Sequence, residues 1–273
     1  MAQDLVLSAS SVTTFLRCGQ QWFYAYVAGV KSPPSLRAIR GIAAHAAVEM
    51  DMRQKMITGV DVPVEDMIDA YTTSWTEETV DGWSNPTNGE TPGGIKDKGV
   101  ELVRLYHELV APTIQPTMVE LPIQFEINGQ PYSGQIDLGE EVEVDLGWGE
   151  PEKRLVIRDT KTTGRSPSGD AYLLNMTGYA IAQRQATGRI EADTVLDYLV
   201  ALKEPKYKEI RMGGPVTDDQ IRQFAGVIDS VSGAINAGRF VPNGIINGAC
   251  SWCGYKDVCP AYQKQNPEEY GGA

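Results

Sequence analysis

The sequence has 273 residues, of which 42% are hydrophobic and 22% are charged, and its 24 basic and 36 acidic side chains give a formal net charge of −12. This composition is typical of a globular protein and excludes fibrous, collagen-like and wholly disordered chains. The net charge taken alone disfavours a nucleic-acid partner, although salt screens charges beyond about 8 Å, so a local basic face can still bind phosphates.

The first third of the sequence has helical periodicity. A serine at position 10 or 11 can cap a helix over residues 10–28, which carries a broad apolar stripe. Pro33 and Pro34 end this helix. The Gly-, Pro- and Asn-rich segment 81–94 predicts a loop. Further helices are expected at Leu36–Met56, Pro63–Thr79 and Lys96–Val110.

From residue 118 the pattern changes to that of strands, with one further helix from about Ala171 to Ala186. Asn128-Gly129 is a strong signal for a hairpin turn, and Thr217 can cap a last helix that runs to about Ala237. The predicted strands are Met118–Ile127, Tyr132–Leu138, Glu141–Leu146, Arg154–Thr160, Thr194–Leu202 and Tyr207–Met212. This order predicts an α/β or α+β domain with a helical N-terminal part.

Two neighbouring predicted strands end in acidic residues. Asp137 closes the segment Gly-Gln-Ile-Asp, and Asp159 precedes Lys161 by two positions, so Asp159 and Lys161 share one face of their strand. Taken alone, the Asp159–Lys161 pair fits a surface salt bridge contributing about 0–1 kcal/mol. Two converging carboxylates repel each other unless a divalent cation lies between them. Oxygen ligands with open positions favour Mg²⁺ or Mn²⁺, which can activate water beside a phosphate.

Other polar residues could complete such a site. His45 shares a helical face with Gly41 and is a candidate ligand, although a lone His on such a face is more often a satisfied core residue. Asn175 and Tyr179 are neighbours on one face of the helix after Lys161, and could contact a phosphate or a base. Basic side chains that could favour DNA, or could simply be solvated, cluster at Arg37 and Arg40 and at Lys203, Lys206, Lys208 and Arg211.

The sequence contains four cysteines, Cys18, Cys250, Cys253 and Cys259. The last three have the spacing C-x2-C-x5-C, and four thiolates suit either zinc or an iron–sulfur cluster. The N-terminus has no secretory signal pattern, so two structural disulfides are not expected. Four unrelated buried cysteines are the alternative.

Together these motifs resemble the PD-(D/E)XK nuclease superfamily, and within it the RecB-type branch that carries an iron–sulfur cluster, with AddB-type nuclease domains and CRISPR-associated RecB-like exonucleases. The resemblance spans residues 8–262. In order, the matching residues are Cys18, Gly41 with His45, Gly134 with Asp137, Asp159 with Lys161, Tyr179, and Cys250, Cys253 and Cys259 followed by Pro260.

The resemblance implies an α/β fold with a restriction-endonuclease-like core, in which helices flank a central mixed sheet, as one domain over residues 1–273. It would comprise a mainly helical part (1–116), a nuclease core (117–240) and a cysteine-rich tail (241–273) that closes a [4Fe–4S] cluster with Cys18; zinc is the less favoured metal. The implied ligands of Mg²⁺ or Mn²⁺ are His45, Asp137, Asp159 and the Thr160 carbonyl, and the implied catalytic residues are Asp137, Asp159 and Lys161.

The implied function is a metal-dependent DNA exonuclease that acts on single-stranded ends, 5′ to 3′, in recombination, repair or CRISPR adaptation. We expect substrate contacts from Tyr179, Asn175, Arg37 and Arg40, a helicase or recombination partner, and a soluble protein in the cytoplasm of a bacterium, encoded there or by a phage, with no membrane partner. A non-catalytic DNA-binding or adaptor module and a redox or metal sensor are the alternatives. Three departures from the family pattern are Asn175 in place of Gln, Gly19 in place of Pro, and the acidic insert Glu140–Glu152, which could repel or gate DNA.

Overall fold

A five-stranded mixed sheet forms the centre of the computed structural model, which describes residues 5–84, 89–165 and 173–270. The strands follow one another in sequence order, and only β3 and β4 run parallel. They are β1 (Met118–Ile127), β2 (Gln130–Val144), β3 (Glu152–Thr163), β4 (Asp193–Val200) and β5 (Lys206–Arg211). A parallel pair needs a crossover connection, which contains helix α6 (Leu173–Thr187); the start of the predicted helix at Ala171 lies outside the described residues.

The β1–β2 hairpin confirms the turn that the sequence predicted. Asn128 and Gly129 both have positive φ angles, 51° and 78°, as a two-residue turn of this type requires. The prediction of two strands after this turn is wrong, because β2 is continuous from Gln130 to Val144. Gly139 and Glu140, read as a break, stay in an unbroken ladder with β3.

Five α-helices precede the sheet in the described residues, and the single helix predicted over residues 10–28 is in fact two. The chain breaks at Cys18, whose backbone is extended (φ −162°, ψ 110°). The first helix is capped by Ser8 rather than Ser10 or Ser11, since the Ser8 side chain accepts from the Ser11 amide and the Ser11 side chain from the Ser8 amide. The helices are α1 (Ala9–Arg17), α2 (Gly19–Tyr26), α3 (Leu36–Thr58), α4 (Val64–Thr79) and α5 (Pro92–Leu109).

The end of the chain is helical. Thr217 caps α7 (Asp218–Asn236) in a reciprocal capping box with Gln220, as the sequence predicted for Thr217. Three short α-helices follow in the described part of the cysteine-rich tail: α8 (Gly244–Asn247), α9 (Pro260–Gln265) and α10 (Pro267–Tyr270). Within the three described ranges, no helix combines the length and the hydropathy that a membrane span requires.

Two apolar layers cover the two faces of the sheet. One contains residues of α1, α6 and α7, and the other contains residues of α3, α4 and α5. Regular alternation along β4 sends Tyr198 to the first layer and Leu199 to the second. β1 departs from this rule: Val119 packs in the second layer and Ile123, four positions on, packs in the first. The strand therefore changes faces between these two residues, and Glu120, whose φ angle is 48°, lies there.

Candidate active site

Three carboxylates form one row across neighbouring strands. The pairs on either side, Val119↔Leu138 and Leu121↔Ile136, place Glu120 of β1 opposite Asp137 of β2. The ladder between β2 and β3 in turn places Asp137 opposite Asp159. Neighbouring strands lie about 4.8 Å apart, so the row brings three acidic side chains together.

Lys161 lies on the same face of β3 as Asp159. Its Nζ donates a hydrogen bond to Asp159 Oδ1 at 2.8 Å and lies 4.0 Å from Asp137 Oδ2. The Asp137 carboxylate is held from the neighbouring strand, because the Thr160 amide donates to its Oδ2 at 3.1 Å. One ammonium group therefore lies between two carboxylates whose positions the sheet fixes.

His45 on α3 lies over this row. Its Nε2 is 2.5 Å from the Thr160 carbonyl oxygen and 3.4 Å from Asp137 Oδ2, and its Nδ1 is 3.8 Å from Glu120 Oε1. Gly41, one turn earlier, allows the helix to approach the sheet closely, because a Cβ there would lie 3.1 Å from Thr162 Oγ1. The small residues of α3 thus bring the imidazole onto the sheet.

Burial and neighbouring charges shift the pKa values of two groups in the row. Asp159 is 0% exposed. Its burial, followed by the charge of Asp137, raises its pKa from 3.8 to about 7 in spite of Lys161. Burial alone would lower the pKa of His45, but Glu120 and Asp137 raise it to about 9. Within the described part of the chain, Asp159 Oδ2 has no hydrogen-bond partner.

The donor set fits a divalent cation. Ligand atoms of His45, Glu120 and Asp137 lie within 4.8 Å of one another, and they form the one such group of three among the described residues. The Asp159 carboxylate, whose buried Oδ2 has no hydrogen-bond partner among the described residues, interacts electrostatically with Asp137 and His45 of this group, and carboxylate oxygens suit Mg²⁺ or Mn²⁺. A cavity of about 500 Å³ beside the row is lined by Arg37, Gly41, His45, Glu120, Thr160 and Lys161, among others.

The four residues predicted to contact substrate lie in different surroundings. Arg37 lines the cavity, where its Nε donates to Glu90 at 3.0 Å. Tyr179 is buried on α6; burial and then the charges of Asp159 and Asp137 raise its pKa, so its hydroxyl is near the acidic row. Asn175, one turn earlier, is half-buried and does not line the cavity. Arg40 is only 3% exposed and does not line it either, so its position gives no support for a DNA contact.

Glu120 is the site residue that the sequence analysis missed. A two-residue turn at 128–129 pairs Ile127 with Gln130, and counting back seven positions places Glu120 opposite Asp137. The hairpin turn and the Asp137 motif together were therefore sufficient to predict that Glu120 lies opposite Asp137.

The four cysteines line a second, smaller cavity, and none of them forms a disulfide. A Cβ on Gly244 would lie 3.1 Å from Cys250 Sγ and 3.6 Å from Cys18 Sγ, so sulfurs from opposite ends of the chain approach this glycine. No three of the four sulfurs, all of them in the described ranges, lie within 4.8 Å of one another. They are therefore more widely spaced than a tetrahedral zinc site requires, since Zn–S bonds of about 2.3 Å hold sulfurs under about 4 Å apart.

A family model described as the PD-(D/E)XK nuclease superfamily matches residues 6–260. A solved structure from Eubacterium rectale, named "Putative exonuclease", is similar with a TM-score of 0.53 at 12% identity, covering 95% of this chain and 87% of that chain; at this identity the likeness shows the fold alone. The structure of SSO0001 gives 13% identity and a TM-score of 0.40, covering 92% and 97% of the two chains, which is too slight a likeness to use. No curated protein sequence matches.

Proposed function

The chain belongs to the PD-(D/E)XK nuclease superfamily, and from this premise we propose that it is a DNA exonuclease of the RecB-type branch. Membership implies a nuclease that depends on a divalent metal. We propose further that it hydrolyses phosphodiester bonds from single-stranded DNA ends, 5′ to 3′, in recombination, repair or CRISPR adaptation. The observation that carries the proposal is the convergence of Asp137, Asp159, Lys161 and His45. His45 and Lys161 also line the adjacent cavity.

The cation, Mg²⁺ or Mn²⁺, would be held by His45 Nε2, by Asp137 and Asp159, and by the Thr160 carbonyl. When bound, such an ion lowers the pKa of water and neutralises charge on a phosphate. The unpartnered Asp159 Oδ2 supports this ligand set, because a buried carboxylate oxygen without a partner is costly unless a cation or a donor reaches it.

Lys161 and Asp159 would contribute to hydrolysis in two further ways. Lys161 donates to Asp159 and lies within 4.0 Å of Asp137, so its ammonium can orient the attacking water and offset negative charge that develops on the phosphate. Asp159 is held in place by burial on its strand, and this fixes the geometry before substrate arrives. Hydrolysis then proceeds by direct attack of water, with no covalent enzyme intermediate.

Substrate would enter through the cavity of about 500 Å³ beside the row. Arg37 on its wall is the proposed phosphate contact, for which it would exchange its carboxylate partner Glu90 for DNA. Tyr179 and, less directly, Asn175 are proposed to support the substrate from α6.

We also propose that Cys18, Cys250, Cys253 and Cys259 hold a [4Fe–4S] cluster. The cavity that all four cysteines line supports this proposal. A cluster there would tie residue 18 to the tail and act as a structural clasp. Visible absorption and iron content of freshly purified protein test this: a brown protein that loses its iron in Cys253→Ser is expected, and a colourless protein that contains zinc contradicts it.

Cleavage of end-labelled single-stranded DNA with Mn²⁺ tests the nuclease. Lys161→Met should lower the rate by about 10²–10⁴-fold. Lys153→Met should not, because Lys153 lies on the same strand but is 65% exposed at its side chain and far along the hairpin. A 5′ label released as short products first indicates 5′ to 3′ digestion. Cleavage by Lys161→Met at the wild-type rate refutes the catalytic assignment, and DNA that is bound but intact with wild-type protein favours the non-catalytic module.

A further inference from the structure

Strands β2 and β3 continue past the rest of the sheet as a two-stranded ribbon, which we name the hairpin arm (residues 140–154). β1 pairs with β2 only as far as Gly139, and β4 pairs with β3 only from Val156 onward. The ladder of the arm runs to the pair Val144↔Glu152. At about 3.4 Å per residue, residues 140–144 extend by roughly 17 Å. Within the described residues, no third strand supports this ribbon.

An exposed indole lies at the tip of the arm. Trp148 is 76% exposed, which makes it the most exposed of the five tryptophans. It lies between Gly147 and Gly149, whose φ angles of 76° and 75° are in the region that favours glycine. The tip therefore presents an indole to solvent with no side chain on either flanking residue.

Apolar residues lead from the sheet to this tip. Val142 and Val144 share one face of β2 because side chains alternate along a strand, and Leu146 follows them. All three are partly exposed, and none of them packs in either apolar layer of the described residues. Together with Trp148 they form an apolar surface that the fold of the chain leaves unfilled. Contiguous surfaces of this kind mark interaction sites more often than single exposed residues do.

The same arm is strongly acidic. It contains six acidic and two basic residues, so it carries a formal charge of −4 out of the −12 of the whole chain. Among the described residues, the ion pairs of its carboxylates involve only Glu140, Glu141 and Glu152. The acidic residues without such a pair are Glu143, Asp145 and Glu150. Uncompensated negative charge therefore lies beside the apolar surface.

The charge decides which partner the arm fits. It repels the phosphates of DNA and a second copy of this acidic chain, whereas it attracts basic side chains. An exposed tryptophan is a typical anchor of a protein interface. We propose that the hairpin arm is a docking site for a partner protein whose contact surface is apolar and flanked by Lys or Arg, with Trp148 as the anchor. The inference goes beyond the proposed nuclease activity and does not depend on it.

An amphipathic helical peptide of lysine and leucine models such a partner. In protein labelled with 5-fluorotryptophan, fluorine NMR detects the five tryptophans, and Trp148→Phe assigns the signal of Trp148. The peptide should shift this signal and leave the other four in place. A Trp148 signal that does not respond to the peptide overturns the proposal. A Trp148 signal that oligothymidylate shifts instead also overturns it, because DNA would then be the occupant.

Calorimetry with the same peptide measures what Trp148 contributes. Trp148→Ala should weaken binding by at least about tenfold. Ile57→Ala is the matched control, since Ile57 is an apolar residue on α3 that is 82% exposed, and it should bind as the wild type does. Unchanged affinity in Trp148→Ala refutes the role of the anchor. Sedimentation that shows a wild-type dimer, lost in Trp148→Ala, also refutes the proposal, because a second copy would then occupy the arm.

A charge-matched pair of variants tests the acidic residues. The arm variant combines Glu143→Gln, Asp145→Asn and Glu150→Gln, and the control combines Asp69→Asn, Glu77→Gln and Glu78→Gln on α4. The arm variant should bind the peptide more weakly than the control does and with a smaller dependence on salt. Equal affinities of the two variants contradict the proposal, because negative charge anywhere on the protein would then suffice.

Discussion

Asp159→Asn should stabilise the metal-free protein while it abolishes cleavage. Asp159 is fully buried, and burial and then Asp137 raise its pKa from 3.8 to about 7. Its ionised form is therefore less favourable in the folded protein than in the unfolded chain. The sign follows from linkage: an acid whose folded-state pKa is raised lowers the stability of the fold as pH rises from about 4 to 7.

The difference between 3.8 and about 7 sets an upper limit of ~4 kcal/mol at pH 8. Asparagine stays neutral and escapes this penalty, although it gives up the ion pair with Lys161, which the raised pKa already includes. For a chain of this size, ~1 kcal/mol corresponds to about 2–4 °C in the melting temperature. We therefore expect Asp159→Asn to melt above wild type at pH 8, by at most about 8–16 °C.

Thermal melts in EDTA at pH 8 and pH 4 measure this, with Asp69→Asn, an exposed carboxylate on α4, as the matched control. The gain should shrink toward zero at pH 4, because wild-type Asp159 is then protonated in the folded protein and its carboxyl is already partly protonated in the unfolded chain. Adding Mn²⁺ should raise the melting temperature of the wild type more than that of the variant. An unchanged or lower melting temperature of Asp159→Asn at pH 8 in EDTA refutes the reasoning.

The other predictions concern metal binding and the sheet. Burial lowers the pKa of His45, but Glu120 and Asp137 raise it to about 9, so an ion that binds the imidazole must displace a proton. The affinity for Mn²⁺, measured by calorimetry, should therefore rise by up to about tenfold per pH unit from pH 7 to 9. An affinity that does not change with pH contradicts this. Arg158 is buried and donates to Asp197 Oδ2 at 2.9 Å, so Arg158→Met should destabilise the fold by about 3–5 kcal/mol in urea melts. A loss below ~1 kcal/mol would show that the pair is dispensable.

Local chemistry explains what the sequence revealed. The turn at Asn128-Gly129 depends on two residues that tolerate positive φ, and the pairing of Asp159 with Lys161 depends only on alternation along a strand. The position of Glu120 could also be predicted, because the turn fixes the register of the hairpin and this register places Glu120 opposite Asp137. The change of faces in β1 could not be predicted from the sequence. It interrupts the alternation of apolar and polar residues by which a strand is recognised.

Long-range contacts explain what the sequence did not reveal. The apolar stripe over residues 10–28 continues through Cys18, and the break there goes with a contact to the distant tail: a Cβ on Gly19 would lie 2.8 Å from the Val241 amide nitrogen. Arg37 and Arg40 are three positions apart on α3, yet Arg37 lines the cavity and Arg40 is buried. Which side of α3 is covered depends on how the helices pack, and no local pattern predicts this.

Anomalous diffraction from crystals grown with Mn²⁺ tests the central claim most directly. We predict a single strong peak within bonding distance of Asp137, Asp159 and the Thr160 carbonyl, with His45 Nε2 turned toward it, and no peak in Asp159→Asn. A wild-type crystal with no manganese between Asp137 and Asp159, or with manganese bound only elsewhere, would contradict the account.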